Sequence, residues 1–287
     1  MKKLFTLLSF SFALLLITPS VAFAAKPDGA GKPKPPSDGG GGTTSEQVGY
    51  DISYPQCGRR LPTDHYFGIV GVNGGTAAVE NPCLAEQLAW AKTAKTGSTQ
   101  DKIQLYVNTA NPGEVIDQIT TWPTSNTVEN PYEECDGTNT LSCSWQYGWN
   151  RSVEAEGYFT EAALRAGISS NLNGYTVWLD VETMNTWQSG SVEALDRNVA
   201  TLEAMTAFYE SKGATVGLYS TAYQWGEITG DQISTLSNLN GLGNWRPSGA
   251  SLSNAISNCS VESLTPGGTI VLTQYVKKNL DHNHSCL

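Results

Sequence analysis

The stretch "YTVWLDVETMNTW", residues 175–187, passes from an apolar run into a polar one and carries two carboxylates, Asp180 and Glu182, one residue apart. Successive side chains of a strand point to opposite faces. Val177, Leu179 and Val181 then share one face, and Trp178, Asp180 and Glu182 share the other. In a (β/α) barrel the first set packs against helices and the second points into the barrel. Both carboxylates fall at the C-terminal end of the strand, the end where barrel enzymes keep their reactive groups.

Working outward, apolar and β-branched runs recur at residues 48–53, 67–73, 102–108, 215–221 and 269–276, with a weaker one near Asn244 and Trp245. Helical stretches alternate with them. One spans 81–93, with Asn81 as N-cap and Pro82 at the first helical position. Others span 147–167 and 192–213, the latter ending at Gly213, a stop signal. This alternation predicts an α/β fold, a (β/α) TIM-type barrel in a single domain with disulfides. The alternative is an open doubly wound sheet, but no G-x-G-x-x-G follows a strand, which weakens a dinucleotide-binding version. Residues 122–146, rich in Asn, Glu, Thr and Cys, read as a long loop stapled by a disulfide.

The chain opens with Lys2 and Lys3, an apolar core from Leu4 to Ile17, and Ala22-Phe23-Ala24. This is the pattern of a secretory signal peptide, assigned to 1–24. Its core is shorter than the ~20 residues of a membrane span. Residues 25–47 are Pro- and Gly-rich and read as a disordered linker. The barrel is then expected over 48–287, in a secreted, extracellular protein with cell-wall association as an option. Residues 1–44 hold five Lys and two Asp, so the remainder has 12 basic and 25 acidic residues, a net charge of −13. That charge argues against nucleic acid and anionic membranes as partners. A monomer is expected. Six cysteines in an exported chain read as disulfides and allow fifteen pairings. Cys57–Cys83, Cys135–Cys143 and Cys259–Cys286 are favoured because each closes a loop between neighbouring segments.

Other strand candidates also end in polar groups: Asn73, Asn108, Tyr219 and Gln274, with Asp51 inside the first. Carboxylates gathered at one rim repel one another and lose solvation, so one can hold its proton near neutral pH. A protonated carboxyl beside ionised ones is what glycosidic bond cleavage requires. Asp51, Asp180 and Glu182 are therefore the candidate catalytic set. Trp122, Trp145, Trp149, Trp187, Trp225 and Trp245 fall in or near expected loops, and flat rings suit the apolar faces of sugars. "DHNHSC" sets His282, His284 and Cys286 at alternate positions, ligand types for zinc. Cys286 reads more readily as a disulfide partner, so no metal and no cofactor is expected.

The motifs as an ordered set resemble those of family 25 glycoside hydrolases, the Chalaropsis-type lysozymes. "GYDISYPQ" (49–56) resembles their first strand, "VWLDVE" their D-x-E strand, "GLYST" their Tyr-bearing strand, and "LTQY…LDHN" their last strand and loop. Residues between these motifs look closer to a related group of exported glycoside-hydrolase-like barrels of actinobacterial type. The resemblance implies a lysozyme-like muramidase acting on peptidoglycan or a related amino-sugar polymer. It further implies Glu182 as general acid, Asp180 orienting the N-acetyl group in substrate-assisted attack, and Asp51 and Asp281 shaping the charge. Tyr219 and Gln274 would sit in the sugar pocket, and Asn73 and Asn108 are carried as further substrate-binding candidates. The chain departs from the pattern at Thr273, where Trp is usual, and in having only five residues between Tyr275 and Asp281. The alternative is a non-catalytic glycan-binding or interaction protein on the same barrel.

Overall fold

The computed structural model describes residues 47–74, 77–230 and 233–287. The expected signal peptide and all of the linker but Gln47 lie outside the described residues. Eight strands close into a barrel. In order round it they are β1 (Gly49–Ile52), β2 (Phe67–Gly71), β5 (Ile103–Asn108), β6 (Thr176–Asp180), β7 (Thr215–Tyr219), β8 (Gly243–Pro247), β9 (Thr269–Lys277) and β10 (Leu280–Ser285). A short antiparallel pair, β3 (Asn73–Gly74) and β4 (Val79–Glu80), stands beside it. Helices α1 (Leu84–Lys92), α2 (Leu141–Ala166), α3 (Val192–Ser211), α4 (Ala222–Thr229) and α5 (Leu252–Asn258) fill the crossovers from β2 to β9. No helix among the described residues is long and apolar enough to cross a membrane.

The expected α/β barrel is therefore present, with two departures from regular alternation. The segment from β1 to β2 holds only a single 3₁₀ turn, Tyr54–Gln56. The last strand, β10, runs antiparallel to both of its neighbours, β9 and β1. Its connection to β9 is a hairpin whose central residues, Lys278 and Asn279, have φ of +54° and +57°. Two consecutive left-handed residues give the turn whose twist matches the flanking strands, so no crossover helix is needed.

Two apolar layers hold the barrel. Outside, Val70, Leu105, Val177, Leu179, Val216 and Leu218 pack against helix residues such as Leu88, Phe159, Leu202 and Phe208. Inside, Phe67, Ile69, Trp178, Tyr219, Trp245 and Leu272 form a separate cluster. Rings this large fit because facing positions have no side chain. A Cβ on Gly49 would lie 2.2 Å from the Phe67 ring, and one on Gly217 would lie 2.3 Å from Trp178. The buried Trp178 indole donates to Gln104 Oε1 at 2.7 Å, which satisfies its one polar atom.

Local boundaries differ from expectation in two places. The loop expected over 122–146 gives way to α2 at Leu141, where the Thr140 hydroxyl accepts the Cys143 N–H. A polar, Cys-bearing first turn hid this helix start. Helix α1 begins at Leu84, after Pro82. The N-cap is Cys83, and Asn81 acts two residues before it: its Oδ1 accepts the Cys83 N–H in an Asx turn. All three favoured disulfides are present: Cys57–Cys83, Cys135–Cys143 and Cys259–Cys286.

Candidate active site

At the C-terminal rim of the parallel strands a cavity of about 270 Å³ opens over the aromatic interior. Four carboxyl groups line it: Asp51 from β1, Asp180 from the end of β6, Glu182 just beyond β6, and Asp281 from β10. Tyr106, Tyr219, Trp245 and Gln274 complete its working walls. The i, i+2 spacing read from "VWLDVE" thus delivers Trp178 to the barrel floor and both carboxyls to its mouth.

Asp51 is the most firmly held of the four. Its Oδ1 accepts the Asn283 Nδ2–H at 2.7 Å and its Oδ2 accepts the Gln274 Nε2–H at 3.1 Å. Both amides are themselves pinned. Asn283 Oδ1 accepts the Trp245 indole N–H at 2.8 Å, and Gln274 Oε1 accepts the Tyr219 hydroxyl at 2.9 Å. Burial nevertheless raises Asp51 to about 7, helped by the charge of Asp281, its strand partner in register, and opposed by the two amides.

Asp180 is buried, and its Oδ1 has no hydrogen-bond partner. Burial holds its pKa well above the usual carboxylate range, with Glu182 and Asp51 adding to the effect. Glu182 is raised by burial, a shift that a hydrogen bond from Gln224 opposes and the charge of Asp281 reinforces. Burial also raises Asp281. All four shifts run toward the protonated form, because burial and mutual repulsion both disfavour full ionisation of the cluster. Tyr106 reaches in from β5, its hydroxyl hydrogen-bonded to Ser53, and burial pushes its pKa upward.

Asn73 and Asn108, expected at the same pocket, lie outside the cavity lining. Their side chains are spent on each other: Asn73 Oδ1 accepts the Asn108 N–H at 2.7 Å, and Asn108 Nδ2 donates to the Asn73 carbonyl at 2.9 Å. They clasp β3 to β5. Of the six tryptophans expected near loops, only Trp245 lines the cavity, and it does so from a strand. Trp145 and Trp149 lie in α2 and stack on each other, Trp225 is buried in α4, and Trp122 stacks on Tyr147. Cys286 is bonded to Cys259, which removes the thiolate from the His282/His284 run.

One cavity-lining residue, Tyr106, and two residues behind the lining, Asn283 and Gln224, escaped the sequence reading. Tyr106 shares the inward face of "IQLYVN" with Gln104, so period-2 alternation carried that signal. Asn283 alternates with Asp281 in the same way. Gln224, in the first turn of α4, carried no signal, because its role depends on where the preceding strand ends.

A family model described as Lysozyme-like protein 1 matches residues 151–255, a segment that holds Asp180, Glu182, Tyr219 and Gln224 but neither Asp51 nor Asp281. "Probable GH family 25 lysozyme 2" of Dictyostelium discoideum is 40% identical over 60 residues, 21% of this chain and 26% of that protein. The match thus spans about a quarter of that curated relative's length. Among solved structures, a muramidase from Trichobolus zukalii is 14% identical over 83% of this chain and 92% of its own, with a TM-score of 0.45. A multimodular pneumococcal cell wall endolysin from phage Cp-1 is 11% identical over 84% of this chain and 54% of its own, with a TM-score of 0.43.

Proposed function

We propose that the chain is a glycoside hydrolase of the lysozyme type, cleaving peptidoglycan or a closely related amino-sugar polymer by carboxyl acid catalysis with help from the substrate's own N-acetyl group. The observation that carries this reading is the gathering of Asp51, Asp180, Glu182 and Asp281 round one cavity with their pKa values raised. The partial matches to a lysozyme-like family model and to a protein named as a probable family 25 lysozyme support it.

In this reading Glu182, kept protonated by burial and by Asp281, gives its proton to the leaving glycosidic oxygen. Asp180 receives the N–H of the substrate's N-acetyl group at Oδ1, the atom that lacks a partner. That donor favours the ionised form of Asp180, so binding itself supplies the negative charge that steadies the attacking amide oxygen. Asp281 adds negative potential beside the developing oxocarbenium-like centre, and Asp51 joins it to the extent that it is ionised. Tyr106, Tyr219 and Trp245 offer ring faces and hydroxyls to a pyranose. Export through the 1–24 signal pattern and a monomeric state complete the reading.

The test uses residues 45–287, which form one compact unit. The protein is expected to release reducing sugar from purified bacterial walls, and Glu182→Gln is expected to abolish that release. Equal activity in the variant overturns the acid assignment. Wall binding without release in the parent protein favours a glycan-binding role on the same barrel.

A further inference from the structure

We propose that a second cavity, on the outer face of β8, binds a small carboxylate, held by the Arg246 guanidinium, the Trp225 indole N–H and the Thr265 hydroxyl. Such a site does not depend on the reaction proposed for the first cavity.

Adjacent residues of a strand point to opposite faces. On β8, Trp245 lines the carboxyl-rich cavity, and Arg246 lines another of about 580 Å³ across the strand from it. Helix α4 supplies Trp225 to this second cavity, and the loop between α5 and β9 supplies Glu262, Leu264, Thr265 and Pro266. The volume falls in the range of about 300–1,000 Å³ usual for small-molecule sites. Its walls are fixed in advance. Asn244 Oδ1 on β8 accepts the Leu264 N–H at 2.6 Å, and Arg246 Nη1 donates to the Glu262 carbonyl at 2.8 Å. The same loop follows Cys259, which is bonded to Cys286.

Three lining side chains each bring a buried polar atom with no hydrogen-bond partner among the described residues: Trp225 Nε1, Arg246 Nε and Thr265 Oγ1. They come from three separate segments, and Trp225 and Thr265 are only 1% and 2% exposed. Leaving a buried polar group unpaired is costly, and three around one cavity call for a shared partner. Indole and guanidinium N–H groups can only donate, so that partner must be an acceptor. Among the described residues no carboxylate forms an ion pair with Arg246, and burial lowers its pKa. An anion is thus favoured over a neutral acceptor. With Nη1 engaged by Glu262, the open edge of the guanidinium is the one that carries Nε and Nη2. That edge takes the two oxygens of a carboxylate side by side. Phosphate would bring more than one charge against a single guanidinium, with the Glu262 carboxyl in the same lining. A cation drawn to Glu262 would leave all three donors unsatisfied. Leu264 and Pro266 offer apolar surface for a short carbon stem.

The experiment titrates the protein near pH 7 with propionate, N-acetylalanine, N-acetylalanine amide and inorganic phosphate, by isothermal calorimetry. ¹H–¹⁵N spectra follow the Trp225 indole N–H, its resonance assigned by its loss in Trp225→Phe. The two acids are expected to bind once per chain with a Kd of about 1 mM or below, and to shift that resonance. The amide has the same stem without the charge and is expected not to bind. Preference for N-acetylalanine over propionate identifies a peptide end as the source of the carboxylate, and the reverse a free small acid; either upholds the site. Arg246→Gln is expected to weaken binding about tenfold or more, and Thr265→Val about tenfold. If Trp225→Phe fails to fold, these two variants carry the test by calorimetry alone. No saturable binding of either acid below about 10 mM overturns the site. So does binding that Arg246→Gln leaves unchanged, or binding that leaves the Trp225 indole unmoved. Tighter binding of phosphate or of the amide overturns the carboxylate assignment.

Discussion

Asp51→Asn is expected to stabilise the protein near pH 8 while impairing its activity. Burial raises this carboxyl from 3.8 to about 7 in the folded protein. Between those values the folded chain binds more protons than the unfolded chain, so stability falls as pH rises and the full cost is reached above 7. A difference of that size amounts to about 4 kcal/mol, at ~1.4 kcal/mol for each tenfold change. An Asn at position 51 does not ionise and so escapes the cost. Its fit depends on the two pinned amides. Asn283 cannot turn over, because its oxygen accepts the Trp245 indole N–H. The new side chain must therefore aim its oxygen at Asn283 and its NH₂ at Gln274. Gln274 can turn, because its other partner, the Tyr219 hydroxyl, can accept as well as donate. Allowing about 1 kcal/mol for that rearrangement leaves a net gain of about 3 kcal/mol near pH 8. The gain shrinks through the window below 7, vanishes between pH 4 and 5, and below that gives way to the ~1 kcal/mol cost of the rearrangement. Guanidinium unfolding at several pH values, with disulfides intact, measures it. Equal stability of variant and parent near pH 8 would refute the reasoning. So would a gain of the same size near pH 4, since that would tie the effect to packing rather than charge.

Two further predictions concern the scaffold of the site. Gly71→Ala would set its Cβ 2.6 Å from the Tyr106 ring and 2.7 Å from Ser53 Cβ. The expected cost is about 1–3 kcal/mol of overpacking, read as a lower Tm, with activity lost as Tyr106 leaves the cavity wall; an unchanged Tm would show that the ring gives way freely. The double change Cys259→Ser, Cys286→Ser opens a bridge with a sequence separation of 27 residues. Loop-closure entropy sets the expected loss at about 3–4 kcal/mol, and amide exchange should show protection falling first in β10, which that bridge anchors.

Period-2 alternation exposed the centre of the site: it set Asp180 and Glu182 on the face of Trp178, and both carboxyls line the cavity. Asp51, Tyr219 and Gln274 were legible as polar groups in or at the ends of strand candidates, and they line it too. The disulfides were legible because each joins segments adjacent in the chain. Less legible were contacts whose partners come from different crossovers. Asn73 and Asn108 read as strand-end polar groups, and nothing in either run says that they satisfy each other. Gln224 meets Glu182 only because α4 starts where it does.

Strand β10 is the instructive omission. "LDHNHS" has no β-branched residue, and "VKKNLD" before it has no glycine to announce a turn. Five residues between Tyr275 and Asp281 look too few for a strand, a connection and a return. They suffice because Val276 and Lys277 finish β9, Lys278 and Asn279 make the turn, and Leu280 opens β10. A parallel closing strand would need a crossover of a dozen residues or more and would begin at the opposite end of the barrel. An antiparallel one begins at the rim. Its second residue, Asp281, is therefore level with the C-terminal ends of the parallel strands and in register with Asp51. The two-residue turn is thus what brings the fourth carboxyl to the cavity, and with it the charge that helps hold a proton on Asp51 and on Glu182.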